Sequence, residues 1–285
     1  MSASVRSRRR PLSRRAVLGS AAIHIALYLG AVVVLLPFVW MVAGSFKPEP
    51  EFFQHPDTLL PVAPTAAAYA DVWRRIPFGR FFLNSVVFAG GVACLSLVLD
   101  SLAAYALARL RFRGQNLAFW VVLLVLMVPF QITLVPLYLT VSQLGWLNSF
   151  AGLILPRATN AFGIFMLRQF FLGIPRDLDE AARIDGASEF TIYRKVILPL
   201  SKPALSTLFI FHFMYNWNDF LWPLVITTTP DMRTLPAGLT LFMGQHVIEH
   251  ALLLAGATIT ILPLLIGFLL AQRQFVRGVA MTGFK

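Results

Sequence analysis

Residues 177–199 read DLDEAARIDGASEFTIYRKVILP and form a polar island between two very apolar segments. Asp177 lies three residues before Glu180, which is the spacing of a capping box, so we expect a helix to begin near Leu178. Gly186 is a typical C-terminal stop for such a helix. The first half of the stretch therefore predicts a short helix that ends at a glycine corner.

The second half of the stretch predicts another short helix. Ser188 can cap its first turn, and we expect it to run through Val196 and to end at Pro199. Ala181 and Ala182 give the first helix a surface of small side chains that the groove of a partner protein could approach closely. The stretch as a whole predicts a helix-turn-helix that lies outside the lipid.

The composition of the chain is that of a membrane protein. The chain has 285 residues, 58% of them hydrophobic and 13% charged, and its mean hydropathy is +0.72. A soluble domain carries about 25% charged residues. The one cysteine, Cys94, excludes an internal disulfide and suggests no metal cluster. We therefore expect an all-α protein that crosses the membrane several times.

Hydropathy divides the chain into a basic N-terminal segment, 1–15, a membrane domain, 16–272, and a C-terminal tail, 273–285. The predicted spans lie at about 17–42, 81–107, 117–140, 151–172, 203–226 and 251–271. The polar segment 173–201 separates the fourth span from the fifth. Pro129 and Pro136 are expected to break the third span. The first apolar run is too long for the hydrophobic region of a cleaved signal peptide.

The basic residues indicate the orientation of the spans. The net charge is +11, and 18 of the 24 basic residues fall on the side that six spans assign to both termini. Cytoplasmic flanks of membrane helices carry an excess of Lys and Arg. We therefore expect cytoplasmic termini, a cytoplasmic segment 173–201, and extracytoplasmic segments at 43–78 and 227–250.

The spacing E-A-A, three residues, G, nine residues, I, one residue, L-P resembles the coupling loop of permease subunits of bacterial ABC sugar importers, the second maltose-type permease in particular. The only departure is Val196 at the isoleucine position. The segments Ser45–Pro48 and Gln272–Gly278 also fit this family. The resemblance implies ATPase-coupling residues: Glu180, Ala181, Ala182, Asp185, Gly186, Leu198 and Pro199. The alternative is an ordinary amphipathic loop between two membrane helices.

The resemblance also implies partners and the absence of an activity. It implies a second permease, two ATPase subunits and an extracytoplasmic substrate-binding protein. No phosphate-binding loop of the G-x-x-x-x-G-K-[ST] type occurs in the sequence, so we expect no enzyme activity and no cofactor in this chain. ATP and Mg²⁺ would bind to the separate ATPase.

Polar residues inside the predicted spans are candidates for a functional or structural role, because inserting each charged residue into the membrane costs about 2.5–3.5 kcal/mol. His212, Asn216 and Asp219 follow one another at i, i+4 and i+7, which places them on one narrow helix face. A sugar needs hydrogen-bond donors and acceptors for its hydroxyl groups and aromatic rings, such as that of Trp217, for the apolar faces of its rings, so this face is a candidate sugar site. The stripe could equally hydrogen-bond a neighbouring helix. The motif from Trp217 to Phe220 also resembles that of sugar-importer permeases.

Three more polar residues lie within the predicted spans. Gln131 and Asn160 are weaker candidates for the substrate path, and a structural hydrogen bond is the competing interpretation for each. Asp100, in the second span, is expected to pair with Arg109 or with a partner subunit, or to act in transport.

The extracytoplasmic segment 227–250 is the last candidate site. By resemblance its tip, Asp231, Met232 and Arg233, contacts the binding protein. Within the importer interpretation, glycerol phosphate or its esters are the alternative substrates. Two hypotheses of other classes remain. One is a proton-coupled transporter in which Asp100, His212 and Asp219 relay protons. The other is a membrane enzyme that uses His212 and Asp219 as acid and base.

Overall fold

The computed structural model describes residues 14–244 and 248–282. These residues are helical almost throughout, and an isolated bridge between Met243 and Ile248 is the only β pairing among them. The helices are α1 Arg14–Gly44, α2 Glu51–Gln54, α3 Ala67–Arg75, α4 Phe78–Arg109, α5 Gln115–Leu126, α6 Phe130–Gln143, α7 Phe150–Ile154, α8 Ala161–Leu172, α9 Asp177–Ile184, α10 Glu189–Ile192, α11 Leu198–Leu200, α12 Lys202–Trp217, α13 Leu221–Ile226, α14 Leu235–Gly238 and α15 His250–Thr282.

The predicted all-α membrane fold is confirmed. Three helices are long and apolar enough to cross a membrane on their own: Ile23–Gly44, Phe78–Arg109 and His250–Gly267. Three bent helix pairs raise the number of candidate spans to six within the described residues. One pair is α5 with α6, bent by 99°, and another is α7 and the 3₁₀ turn after it with α8, bent by 45°. The third joins Glu189–Leu200 to α12 at 80°.

Proline explains one predicted break and not the other. Pro129 lies between α5 and α6 and has an extended ψ of 135°. A proline also disfavours helical geometry in the residue before it and lacks an N–H, so a break is expected here. Pro136 lies inside α6 without ending it. The prediction for Pro129 is confirmed, and the prediction for Pro136 is wrong.

The fifth predicted span is divided into two helices. The predicted span 203–226 contains α12, which ends at Trp217, and α13, which begins at Leu221. The sixth span corresponds to the apolar part of α15, His250–Gly267, and α15 continues as a helix through Thr282, which includes most of the predicted tail. Residues 1–13 and 283–285, which belong to the predicted N-terminal segment and tail, lie outside the described residues.

Helix α4 is the centre of the bundle. It packs most extensively against α8 and α12. Its Phe78 end joins an apolar cluster with α3 and α15, and its Arg109 end joins a second cluster with α8 and the segment that contains α10. In contrast, residues 23–40 of α1 are exposed on every side of the helix. The bundle therefore leaves the first span to lipid or to another subunit.

Candidate functional site

The start of α9 differs from the predicted capping box. The helix begins at Asp177, its N-cap residue is Arg176, and no side chain caps it. Asp177, Asp179 and Glu180 fill the first turn, where negative charge interacts favourably with the helix dipole. The capping-box prediction is therefore wrong, and the acidic first turn takes its place.

The glycine corner at the end of α9 is as expected. Gly186 has a φ of +80°, a conformation that glycine adopts readily and that β-branched residues tolerate badly. The N–H of Gly186 donates to the carbonyl of Arg183, and the N–H of Ala187 donates to that of Ala182. These two bonds form a Schellman motif, which turns the chain sharply after residue Asp185.

The second short helix begins as predicted and ends differently. The Ser188 side chain accepts a hydrogen bond from the N–H of Thr191. A π-helical turn, Tyr193–Ile197, follows α10 and leads into α11. Pro199 lies inside α11, so the helical path ends at Leu200 and bends by 80° into α12. The prediction that Pro199 ends the helix is wrong by one residue.

The two faces of α9 have different surroundings. Leu178, Ala181 and Ile184 follow one another at intervals of three residues and are exposed, Leu178 to 42% and Ile184 to 86%. Ala182 is half-buried against the apolar cluster at the Arg109 end of α4. The expectation that both alanines lie on the open face therefore holds for Ala181 and is wrong for Ala182.

The remaining coupling candidates divide between the same two faces. Glu180, Asp185 and Pro199 are exposed. Leu198 is half-buried and packs with Val196 against the cluster that contains Ala182. The segment 177–200 therefore presents an apolar strip with acidic neighbours outward and fixes its other side to the bundle.

A buried ion pair fixes α9 to the bundle. Arg109 Nη1 lies 3.2 Å from Asp179 Oδ2, and the two side chains are 1% and 4% exposed. The other terminal nitrogen of Arg109 donates to the carbonyl oxygens of Phe171 and Ile174. The expected pair between Asp100 and Arg109 is therefore wrong, because Asp179 occupies that position.

A second polar contact lies at the start of α10. Glu189 accepts hydrogen bonds from Arg183 Nε at 2.8 Å and from the Tyr105 hydroxyl at 2.7 Å. The hydrogen bond from Arg183 is the main reason that the pKa of Glu189 lies below its usual value. The two short helices are therefore linked to each other and to α4.

The polar stripe on α12 is buried inside the subunit. His212 Nε2 lies 3.2 Å from Asp100 Oδ2. The other oxygen of Asp100 accepts hydrogen bonds from the Thr159 hydroxyl and the Asn160 N–H, at 2.7 and 3.0 Å. Asn216 Nδ2 donates to the His212 carbonyl oxygen. These bonds link α4, α8 and α12, and they leave the Asn216 side-chain oxygen buried without a hydrogen-bond partner among the described residues.

Gly163 makes room for this arrangement. A Cβ atom at Gly163 would lie 2.1 Å from Asp100 Oδ2, which is too short for any real contact. Helix α8 can therefore approach the Asp100 carboxylate closely only because residue 163 is glycine.

Asp219 lies apart from His212 and Asn216. It follows the end of α12, and its Oδ2 accepts a hydrogen bond from Arg157 at 2.8 Å. Its Oδ1 accepts one from the N–H of Trp222. The prediction that all three share one face is wrong, since the helical path stops before Asp219.

Asp219 borders an open hollow of about 620 Å³. The lining residues come from the end of α12 and the start of α13: Phe211, Met214, Tyr215, Asn218, Asp219, Phe220 and Leu221. The Arg157 guanidinium packs over the rings of Phe130 and Tyr215 at 4.3 and 5.4 Å. The hollow therefore combines aromatic rings with amide and carboxylate groups.

The other path candidates lie elsewhere. Trp217 is buried, and its Nε1 donates to the Thr260 carbonyl oxygen. Gln131 is exposed near the start of α6. The Asn160 side chain caps α8 by accepting the N–H of Phe162. None of these three lines the hollow, which is formed instead by neighbours of the predicted stripe such as Tyr215.

The segment after α13 is bound to the Phe78 end of α4. Pro230–Met232 form a 3₁₀ turn, and the Asp231 carbonyl oxygen accepts hydrogen bonds from Arg80 Nε and Asn84 Nδ2. Asn84 also donates to the Arg233 carbonyl oxygen. Met232 packs on the apolar cluster around Trp222, and the Asp231 side chain is exposed.

Comparison with known proteins places this arrangement in a family. Residues 100–280 match the model of the binding-protein-dependent transport system inner membrane component. The chain belongs to this family. It is thus a multi-pass permease of the inner membrane and a component of binding-protein-dependent ABC import. The matched region of this permease includes the segment 177–200, the hollow and the 230–233 turn.

Two relatives cover nearly the whole permease. It is 36% identical over 258 residues to the arabinooligosaccharides transport system permease protein AraQ of Halalkalibacterium halodurans, covering 90% of this chain and 92% of the relative. It is 37% identical over 265 residues to the sn-glycerol-3-phosphate transport system permease protein UgpE of Pectobacterium atrosepticum, covering 90% and 94%.

Solved structures agree with the fold. A chain of a bacterial ABC transporter involved in the import of the acidic polysaccharide alginate matches with a TM-score of 0.82 at 25% identity, over 93% of this permease and 99% of that chain. A chain of the bacterial alginate ABC transporter in complex with an alginate pentasaccharide-bound periplasmic protein matches with a TM-score of 0.65 at 14% identity, over 90% and 96%.

Proposed function

We propose that this permease moves a neutral sugar or oligosaccharide from an extracytoplasmic binding protein into the cytoplasm by alternating access. It pairs with a second permease, and two separate ATPase subunits bind and hydrolyse ATP with Mg²⁺. The substrate path runs between the two permeases. The chain itself catalyses no reaction.

The apolar face of α9 is the observation that carries this proposal. Leu178, Ala181 and Ile184 stay exposed, whereas the opposite side of the segment is packed against the bundle and bonded to it. An amphipathic helix with such a face is suited to a groove on a partner protein. The acidic neighbours Glu180 and Asp185 are suited to basic groups at the rim of that groove. We assign the groove to the ATPase.

The charge at the hollow supports a neutral substrate. Arg157 is the cation beside it, and its charge is compensated by Asp219 at 2.8 Å. Exposed aromatic side chains such as Tyr215 and Phe220 offer faces for sugar rings. The glycerol-3-phosphate permease among the relatives makes an anionic substrate the second candidate, for which Arg157 would have to leave Asp219.

The orientation of the chain follows from its arginines, and we infer cytoplasmic termini with a cytoplasmic α9. Ile184→Cys and Leu60→Cys, each in a Cys94→Ala background, test this, since both positions are highly exposed. An impermeant maleimide added to intact spheroplasts should label Leu60→Cys only. Labelling of Ile184→Cys in intact spheroplasts, but not of Leu60→Cys, would show that the chain has the opposite orientation.

Uptake by a reconstituted complex tests the function. The permease, its partner permease, its ATPase and its binding protein are placed in proteoliposomes, with an arabino-oligosaccharide, glycerol 3-phosphate or an alginate oligosaccharide as ligand. We expect uptake of the neutral oligosaccharide that requires both ATP and the binding protein. Uptake without ATP would contradict an ATP-driven importer, and uptake of the anionic ligands alone would contradict a neutral substrate.

A further inference from the structure

Three side chains on one stripe of α4 reach the segment 177–200. Ser101, Tyr105 and Arg109 are spaced at i, i+4 and i+8, so they point in nearly the same direction from the helix. The bonds join Ser101 to the Tyr193 hydroxyl at 2.7 Å, Tyr105 to Glu189 at 2.7 Å and Arg109 to Asp179 at 3.2 Å. The Arg109 end of α4 is thus bound to α9, to α10 and to the π-helical turn that follows.

The Phe78 end of α4 is bound to the other candidate contact region in the same manner. Arg80 and Asn84 donate to the Asp231 carbonyl oxygen, at 3.0 and 2.8 Å. Asn84 also donates to the Arg233 carbonyl oxygen at 2.9 Å. The Ser85 hydroxyl accepts the N–H of Leu235 at 2.7 Å. These bonds hold the backbone of residues 231–235, so the path of the turn depends on α4.

Between these ends α4 is continuous. Its 32 residues extend about 48 Å at about 1.5 Å per residue, compared with about 30 Å for the hydrocarbon core of a membrane. The other two long helices described contain Pro37 and Pro263, whereas α4 contains no proline. The pair Gly90–Gly91 also lies inside α4, but the helix runs through it without a break. An unbroken helix of this length can carry a displacement from one membrane face to the other.

We propose that α4 is the mechanical connection between the two partner proteins. Docking of the binding protein on residues 230–235 shifts or rotates α4 through Asn84 and Ser85. The stripe Ser101, Tyr105 and Arg109 then moves the segment 177–200 against the ATPase. This inference rests on the proposed function and adds the route by which a loaded binding protein stimulates ATP hydrolysis.

Glycine substitutions just after the bound Phe78 end of α4 test the continuity of the route. Val86 and Val87 lie between the two bound ends, and both are exposed. Val86→Gly/Val87→Gly makes the helix more flexible at this point, and Val86→Ala/Val87→Ala removes the same side chains without that flexibility. ATP hydrolysis is measured in the reconstituted complex, once with and once without the binding protein. The binding protein is loaded with the arabino-oligosaccharide, glycerol 3-phosphate or the alginate oligosaccharide.

The glycine pair should lose about five-fold or more of the stimulation by binding protein, the lower end of typical coupling between two sites. Its basal hydrolysis should equal that of the wild type, and the alanine pair should keep both values. Full stimulation in the glycine pair would overturn the connection through α4.

A double-mutant cycle tests whether the two ends act in series. Asn84→Ala and Tyr105→Phe remove the side-chain hydrogen bonds of one residue at each end, and the two residues lie about 32 Å apart along the helix axis. Independent sites at such a distance have additive effects. A serial connection predicts that the double variant loses no more stimulation than the worse single variant. Additive losses would overturn the connection while leaving the proposed function intact. A wild-type complex that binding protein does not stimulate would overturn both.

Discussion

Helices α4 and α12 lie side by side but differ in continuity. Helix α4 runs through 32 residues with polar bonds to other elements near both ends. Helix α12 follows an 80° bend and ends at Trp217, and three residues separate it from the next helix, which begins at Leu221. The hollow lies at this interruption. In the proposal, the continuous helix connects the partners, and the interrupted one rearranges around the substrate.

The largest effect is expected at the ion pair that binds α9 to α4. Arg109→Ala leaves Asp179 buried without its partner and removes the donor from two carbonyl oxygens. Breaking a buried pair costs about 3–5 kcal/mol. We expect a lower thermal unfolding temperature of the detergent-purified complex and loss of bound ATPase.

Two related variants sharpen this prediction. Asp179→Ala should be milder, because Arg109 keeps both carbonyl partners, and Arg109→Met/Asp179→Leu should recover part of the loss, because it removes both charges. If Arg109→Ala unfolds at the wild-type temperature and keeps its ATPase, the pair does not hold α9 in place.

The second effect concerns the glycine corner after α9. Gly186→Val forces a β-branched residue into the left-handed region, which costs about 1–2 kcal/mol. No atom lies within 4 Å of a Cβ at this position, so the effect is one of backbone alone. We expect normal membrane insertion and reduced co-purification of the ATPase. Gly186→Asn is the matched control, since asparagine tolerates this conformation. Equal retention of ATPase by both variants would argue against a role of the Gly186 corner in ATPase binding.

Local chemistry explains which features were predictable. The spans follow from hydropathy, and the corner at Gly186 and the cap at Ser188 each depend on a few neighbouring residues. The prediction that His212, Asn216 and Asp219 form one stripe failed because it assumed that the helix, with its rotation of 100° per residue, continues beyond Trp217. There the Asn218 side chain bonds the Met214 carbonyl oxygen and Asp219 bonds the Trp222 N–H, and such local bonds compete with helical ones.

Contacts between distant residues could not be inferred from spacing. Asp100 and His212 are 112 residues apart in the chain, and Arg109 selects Asp179 rather than the nearer Asp100 only because α9 folds back onto α4. The Ala182 side chain turns inward for the same reason. One sequence contains no signal that identifies such pairs.

The third effect concerns charge at the hollow. Asp219→Asn leaves Arg157 without its carboxylate, so the hollow gains a net positive charge. We expect uptake of glycerol 3-phosphate to rise relative to the neutral oligosaccharide by about five-fold, equivalent to about 1 kcal/mol for a partly exposed pair. Asp57→Asn is the control, since it removes an exposed carboxylate from a segment with no assigned role. An unchanged ratio of the two uptake rates would exclude Arg157 from substrate selection.

The smallest effect is a pH dependence at α10. The pKa of Glu189 is lowered in the folded protein, chiefly by Arg183, so its contribution to stability is present above the ordinary value of 4.5 and is lost as pH falls through the folded pKa. The difference in unfolding temperature between the wild type and Glu189→Gln should be constant from about pH 8 to about pH 5 and shrink below that range. A difference that shrinks between pH 8 and pH 5 would contradict this assignment.

The central claim is that the open face of α9 binds the ATPase, and Ile184→Asp tests it most directly. Ile184 is 86% exposed, so a charge there should leave the folded chain intact and disfavour only an apolar groove on a partner. Leu60→Asp, at a residue 67% exposed in the segment before α3, is the control. The measurement is the amount of ATPase that co-purifies with each variant. We predict wild-type amounts with Leu60→Asp and little or none with Ile184→Asp, and wild-type amounts with both would contradict the claim.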